Sequence, residues 1–150
     1  MRRAASTLLI FLFLASVPGA TQAVAQAKAQ FRARLSTVPI DVAMQSTIAG
    51  NGSATATLTG RTLSVTGTFS NLKTPATLAK IHSAPKGMRG PAVFDLTVTK
   101  ATSGTLEGEF ELTPAQVKDV TEGRFYIQLH SEKAPEGNLW GWLLREETRR

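Results

Sequence analysis

Ser53-Ala54-Thr55-Ala56-Thr57-Leu58-Thr59-Gly60-Arg61-Thr62-Leu63-Ser64-Val65-Thr66-Gly67-Thr68-Phe69-Ser70 alternates small or apolar residues with hydroxyl side chains on both sides of Gly60-Arg61. Successive side chains of a strand point to opposite faces. A period of two broken by one short turn therefore predicts a hairpin over residues 53–70, with one face packed and one in water. The same period continues outward. Phe31, Ala33 and Leu35 alternate with arginine and serine, and Phe94, Leu96 and Val98 form another apolar face. So do Leu106, Gly108, Phe110 and Leu112, then Phe125, Ile127 and Leu129, and finally Leu139, Gly141 and Leu143. Short strands at this spacing predict an all-β sandwich or barrel, and of these an antiparallel Greek-key-like β-sandwich of about seven or eight strands.

One short helix interrupts the strands. Thr113 stands as N-cap, Pro114 at the first helical position, Gln116 three after the cap and Gly123 as terminator, with Val117 and Val120 facing the sheet. Residues 37–51 follow neither period and are expected to form a long loop or irregular edge. Asn51-Gly52-Ser53 matches a glycosylation sequon but reads as an ordinary glycine turn.

The N-terminus has a different composition. Met1-Arg2-Arg3, the apolar run Leu8 to Ala15 and two Ala-x-Ala sites at 23–27 have the order of a secretory signal, residues 1–25, cleaved near 25–27. The apolar run is shorter than the ~20 residues a spanning helix needs. Removing 25 of the 150 residues, two arginines among them, leaves 125 residues and lowers the net charge from +6 to +4. That length suits one domain, residues 28–145, followed by a charged tail, 146–150. The expected location is the periplasm or the extracellular space, with no membrane span after cleavage. The charge is too small and scattered for nucleic-acid binding. With no cysteine, the core must hold without disulfides and thiolate metal sites are excluded.

The two histidines each end a strand-like segment, Leu78 to His82 and Arg124 to His130. In strand geometry His130 shares a face with Gln128 and Tyr126, opposite Phe125, Ile127 and Leu129. One reading is a copper or zinc site shared by His82 and His130, with Asp95, Glu132 or Glu136 needed to complete it. The other is that each imidazole caps a strand end through a hydrogen bond to a loop carbonyl, with no cofactor. Hydrolytic chemistry lacks a motif: His130 and Ser131 point to opposite faces and no Gly-x-Ser-x-Gly elbow is present. Glu107, Glu109 and Glu111 read as the solvated face of one strand. Trp140 and Trp142 share one face of the last strand, where they either face outward or lie under a loop. With Tyr126 they are the residues expected to contact a partner, an unknown protein or surface ligand.

From Phe31 to Leu144 the chain resembles the chordin domain (CHRD) family, found in animal chordins and in many exported bacterial proteins. The resemblance rests on Ala33-Arg34-Leu35-Ser36, the strand from Gly52 to Leu58, Phe69-Ser70-Asn71-Leu72 and Ile81-His82 with its glycine-containing loop to Gly90-Pro91. It continues through Leu112-Thr113, Gly123 to His130 and Pro135 to Gly141. It implies an exported, single-domain bacterial member acting as a non-catalytic binding or structural module, since animal chordins use such repeats to hold growth factors. Two departures stand out. Lys80 occupies the first position of a common His-x-His, and Asn138, Trp140 and Trp142 replace polar or charged residues of the last strand. A sandwich with histidines at strand ends is also similar to the superoxide dismutases, which keeps the metal-binding or redox reading as the alternative.

Overall fold

The hairpin read from residues 53–70 is the second and third strands of a computed structural model that describes residues 27–146. The expected signal segment, 1–25, and residues 147–150 of the expected tail lie outside the described residues. Nine strands are present among them. They are β1 (Lys28–Thr37), β2 (Asn51–Thr59), β3 (Thr62–Ser70), β4 (Ala76–Ser83), β5 (Ala92–Val98), β6 (Gly104–Glu111), β7 (Phe125–Ser131), β8 (Ala134–Trp142) and the two-residue β9 (Leu144–Arg145). The turn expected at Asn51-Gly52-Ser53 sits earlier: Gly50 takes the left-handed φ of +113, and Asn51 already opens β2.

All pairings are antiparallel, and the order β2-β3-β6-β5-β4-β7-β8-β1 closes on itself because β1 also pairs with β2. Closure is where the architecture departs from the expected two-sheet sandwich. Two strands change partner part-way along. In β1, Lys28 to Leu35 pair with β2, while Ser36 and Thr37 pair with Trp140 and Leu139 of β8. In β5, Ala92 and Phe94 to Leu96 pair with β4, while Thr97 and Val98 pair with β6. The two walls are therefore one barrel-like sheet, and closure removes the exposed edges that two separate sheets would leave.

Inside lie the residues that the period of two selects. Phe31, Ala33 and Leu35 meet Leu63, Val65 and Leu106 from one wall and Phe125, Ile127, Leu129 and Leu139 from the other, all essentially inaccessible. The helix α1 (Pro114–Thr121) spans the crossing from β6 to β7. Its capping box is complete: Thr113 Oγ1 accepts from Gln116 N–H and Gln116 Oε1 accepts from Thr113 N–H. Val120 is fully buried, Val117 packs beside it, and Gly123 ends the element at a φ of +71. The 38–50 segment is irregular, as its lack of period implies, but it is pinned by a 3-10 turn at Ala43–Ser46 and by buried Val38 and Ile48. No helix among the described residues is long and apolar enough to cross a membrane.

Candidate functional site

The wall β4–β7–β8 carries His82, Tyr126, His130, Trp140 and Trp142, while Asp95 lies on the neighbouring β5 and Glu132 in the turn between β7 and β8. Antiparallel register sets the wall's residues in rows on the outer face: His82, Tyr126 and Trp142, then Lys80, Gln128 and Trp140, then Leu78 and His130. On a half-solvated barrel such residues would face water. Here Tyr126 is 1% exposed and Trp142 8%, while Trp140 is half-buried.

The cover is the segment between β4 and β5, residues 84–91. Its ends are tied to the barrel by Ala84 N–H to the Arg124 carbonyl and Ser83 N–H to the Pro91 carbonyl. Its middle turns at Pro85-Lys86-Gly87-Met88, closed by Met88 N–H to the Pro85 carbonyl, with Gly87 at a φ of +86. The turn lays the segment over the rings, and three hydrogen bonds lock it there. Gly90 N–H donates to Tyr126 Oη at 3.0 Å, Trp142 Nε1–H to the Ala84 carbonyl at 3.3 Å, and His82 Nδ1–H to the Gly90 carbonyl at 2.9 Å. Arg89 donates to the Glu136 carbonyl at 3.0 Å and holds its guanidinium carbon 5.9 Å above the Trp140 ring. Beneath, His82 stacks on Tyr126 with centroids 5.0 Å apart, Tyr126 meets Trp142 at 4.8 Å, and Trp142 meets Trp140 edge to face at 4.8 Å. These offset and edge-on arrangements are the favourable ones for aromatic quadrupoles. The open choice for the indoles is thus resolved: Trp142 lies under a loop, and only Trp140 keeps a partly open ring.

His130 is held at the other end of the same face. Its Nδ1 lies 2.7 Å from the Pro135 carbonyl. A carbonyl oxygen only accepts, so in both histidines Nδ1 carries a hydrogen, and in the neutral ring Nε2 is then the lone pair. Both Nε2 atoms are buried without a hydrogen-bond partner among the described residues. Burial holds the His130 imidazole below the ordinary value of 6.5. The Pro135 hydrogen bond opposes that, His82 and Lys80 reinforce it through their charges, and Glu136 opposes it. Of the carboxylates considered as third ligands, Asp95 is engaged by Lys80 Nζ at 2.8 Å, and Glu132 and Glu136 are exposed. No group of three or more metal-ligating side chains occurs among the described residues.

Three residues to which the sequence assigned no contact, Gln128, Asn138 and Arg89, shape this face. Gln128 is buried and donates to the Glu136 carbonyl at 2.8 Å. It lies against Gly137, whose φ is +128 and where an added Cβ would stand 2.5 Å from Gln128 Nε2. Asn138, fully buried, donates to the Ala49 carbonyl at 2.7 Å and so ties the 38–50 segment to β8. Arg89 had no signal beyond its charge. The turn residues Pro85, Gly87 and Gly90 marked a loop, though not one that folds back over its own sheet.

A profile of the CHRD domain matches residues 18–143, most of the chain. The chain belongs to the CHRD domain family. The covered aromatic wall, the closed β-sheet and the histidine-bearing strand ends are thus features of a CHRD domain. No curated protein and no solved structure matches the chain.

Proposed function

We propose that this CHRD domain is an exported, non-catalytic binding module whose contact site is the outer face of β8 around Trp140. One observation carries the reading. A rigid platform of four rings is locked beneath residues 84–91, and it presents a single half-open indole, bracketed by Arg89, at the surface. An aromatic side chain whose rotamer is already fixed loses little entropy on contact, which is the character of a binding hot spot. Several polar groups nearby are engaged structurally: His82 and His130 through Nδ1 by main-chain carbonyls, and Ser131 by Asn138. The test is purification from the culture medium and periplasm with co-purified material read by mass spectrometry. The mature chain should begin near residues 26–28, and Trp140→Ala should lose the partner while keeping a cooperative urea transition and the backbone amide resonances of β2, β3 and β6, which lie away from the indole. Retention of the partner by that variant would overturn the reading. Trp142→Ala is the poorer probe, because that ring is a buried support.

The alternative reading is copper or zinc binding. What favours it is the pair of buried Nε2 lone pairs, each on an imidazole whose Nδ1–H is anchored to a carbonyl, the arrangement that orients metal-bound histidines. Against it, His82 and His130 stand four residues apart along the sheet, roughly 13 Å at the backbone, with Lys80 and Gln128 in the row between. Titration of zinc or cuprous ion, followed by the histidine ring resonances, should shift both imidazoles together at one equivalent if the ion is shared. Independent or absent shifts would remove the reading.

A further inference from the structure

Where β1 exchanges β2 for β8, the barrel has a seam. β9 pairs with Phe31 and Arg32, β8 with Ser36 and Thr37, and between them Gly141 sits against the β1 backbone, where an added Cβ would meet the Arg34 carbonyl oxygen at 2.3 Å. Over the seam runs an open groove of about 690 Å³. Arg32, Arg34 and Ser36 line one bank and Trp140 and Trp142 the other, with Lys86 and Arg145 also contributing. The groove has four cations and one carboxylate, Glu146, which Arg32 holds at 3.0 Å. Arg34, Lys86 and Arg145 have no acidic partner among the described residues. Large apolar side chains stand exposed beside these charges: Leu144 in the groove wall, and Met88 at 59% exposure on the turn between Lys86 and Arg89.

Unpaired arginine and lysine, a half-open indole and exposed aliphatic tips on one face are the components of a surface that settles into a lipid headgroup layer. The cations meet lipid phosphates, the indole sits at the interface, and the apolar tips reach the acyl boundary. A soluble acidic ligand would use the charges but leave Met88 and Leu144 in water.

We propose that the β1–β8 seam of this CHRD domain, with Lys86, Met88 and Arg89 of the covering turn, docks on the surface of a membrane containing anionic phospholipid. This rests on the reading that places the contact site at Trp140, and names its partner. Each interfacial cation strengthens such binding roughly fivefold, and salt weakens it.

The experiment is co-sedimentation of the full mature chain with vesicles of equal parts phosphatidylglycerol and phosphatidylcholine, beside vesicles of phosphatidylcholine alone. The expected result is binding to the anionic vesicles only, weaker at high salt, with a blue shift in tryptophan emission. Trp142 is already buried, so that shift reports Trp140. The double substitution R34A/R145A, at exposed positions, should weaken partitioning by roughly 30-fold, and Met88→Asp should remove the blue shift. Equal binding to both vesicle types, binding to neither, or unchanged affinity in R34A/R145A would overturn the proposal. So would an equal emission shift with soluble polygalacturonate, which would assign the groove to an acidic polysaccharide. Should vesicles fail while Trp140-dependent capture of a partner persists, the binding-module reading stands and the membrane assignment alone falls.

Discussion

The two walls of this barrel treat their outer faces in opposite ways. On β2–β3–β6 the outer face is solvated: Thr55 and Thr66 hydroxyls lie 3.4 Å apart, Ser64 donates to Glu109 at 2.9 Å, and Arg61 pairs with Glu111 at 3.1 Å, all exposed. On β4–β7–β8 the outer face is itself a packed layer, and six of the seven residues of β7 are buried. The second layer is not another sheet. It is eight residues of loop, 84–91, whose main-chain atoms hydrogen-bond the side chains of three rings, His82, Tyr126 and Trp142. A short loop can bury a sheet face when side chains beneath it supply the partners its own backbone lacks.

The largest expected effect tests that difference directly. Tyr126→Ala removes the ring that touches His82, Trp140 and Trp142 and leaves Gly90 N–H without its acceptor. It should cost about 3–5 kcal/mol, as for other buried aromatics. Thr66→Ala, in the middle of the other wall, should stay within about 0.5 kcal/mol. Urea denaturation of the pair measures both. Similar values would mean that the covered wall is no more a core than the open one.

This difference also explains what the sequence disclosed. The β2–β3 hairpin and the caps of α1 were legible because each depends on local rules: alternation about Gly60-Arg61, and the Thr113-Pro114-Gln116 cluster. The polar and aromatic alternation along β7 correctly separated Phe125, Ile127 and Leu129 from Tyr126, Gln128 and His130. It could not say that Tyr126 is covered too, because its cover comes from residues about 40 positions earlier in the chain and is held mainly through that segment's main-chain atoms, which carry no side-chain signature. Closure was illegible for a similar reason. Whether β1 and β5 stay with one sheet or change partners depends on register and twist rather than on which residues are apolar. Arg32 and Arg34 looked like ordinary solvated strand positions, and only the seam makes them neighbours of two indoles.

A smaller effect separates the walls through their glycines. Gly137 combines a φ of +128 with the Gln128 amide directly in its path. Gly137→Ala should therefore cost about 1–3 kcal/mol and displace the Gln128 amide, visible as a shift of its side-chain NH₂ resonances. Gly60, in the hairpin turn of the open wall, has a φ of +61, a left-handed value that asparagine tolerates. Gly60→Asn should cost no more than about 1 kcal/mol. If Gly137→Ala were as mild, the close fit of β8 on Gln128 would not be constraining the covered wall.

The smallest effect is electrostatic and belongs to the covered wall alone. Burial, with the charges of His82 and Lys80, holds the folded-state titration of His130 below 6.5, against the pull of the Pro135 carbonyl and Glu136. In the unfolded chain the same ring titrates near its ordinary value, about 6.5. Below that pH the unfolded state therefore takes up the proton first. This contribution to stability is fully present above pH 6.5 and is lost as the pH falls from there through the lower folded value. His130→Asn keeps a side-chain donor within reach of the Pro135 carbonyl but cannot titrate. Urea midpoints taken on either side of pH 6.5 should fall more steeply on acidification for the natural chain than for His130→Asn, the difference being the share that His130 carries. Parallel pH profiles for the two proteins would mean that the wall around His130 admits water freely enough to solvate the charged ring, and that its cover is looser at this end than over Tyr126.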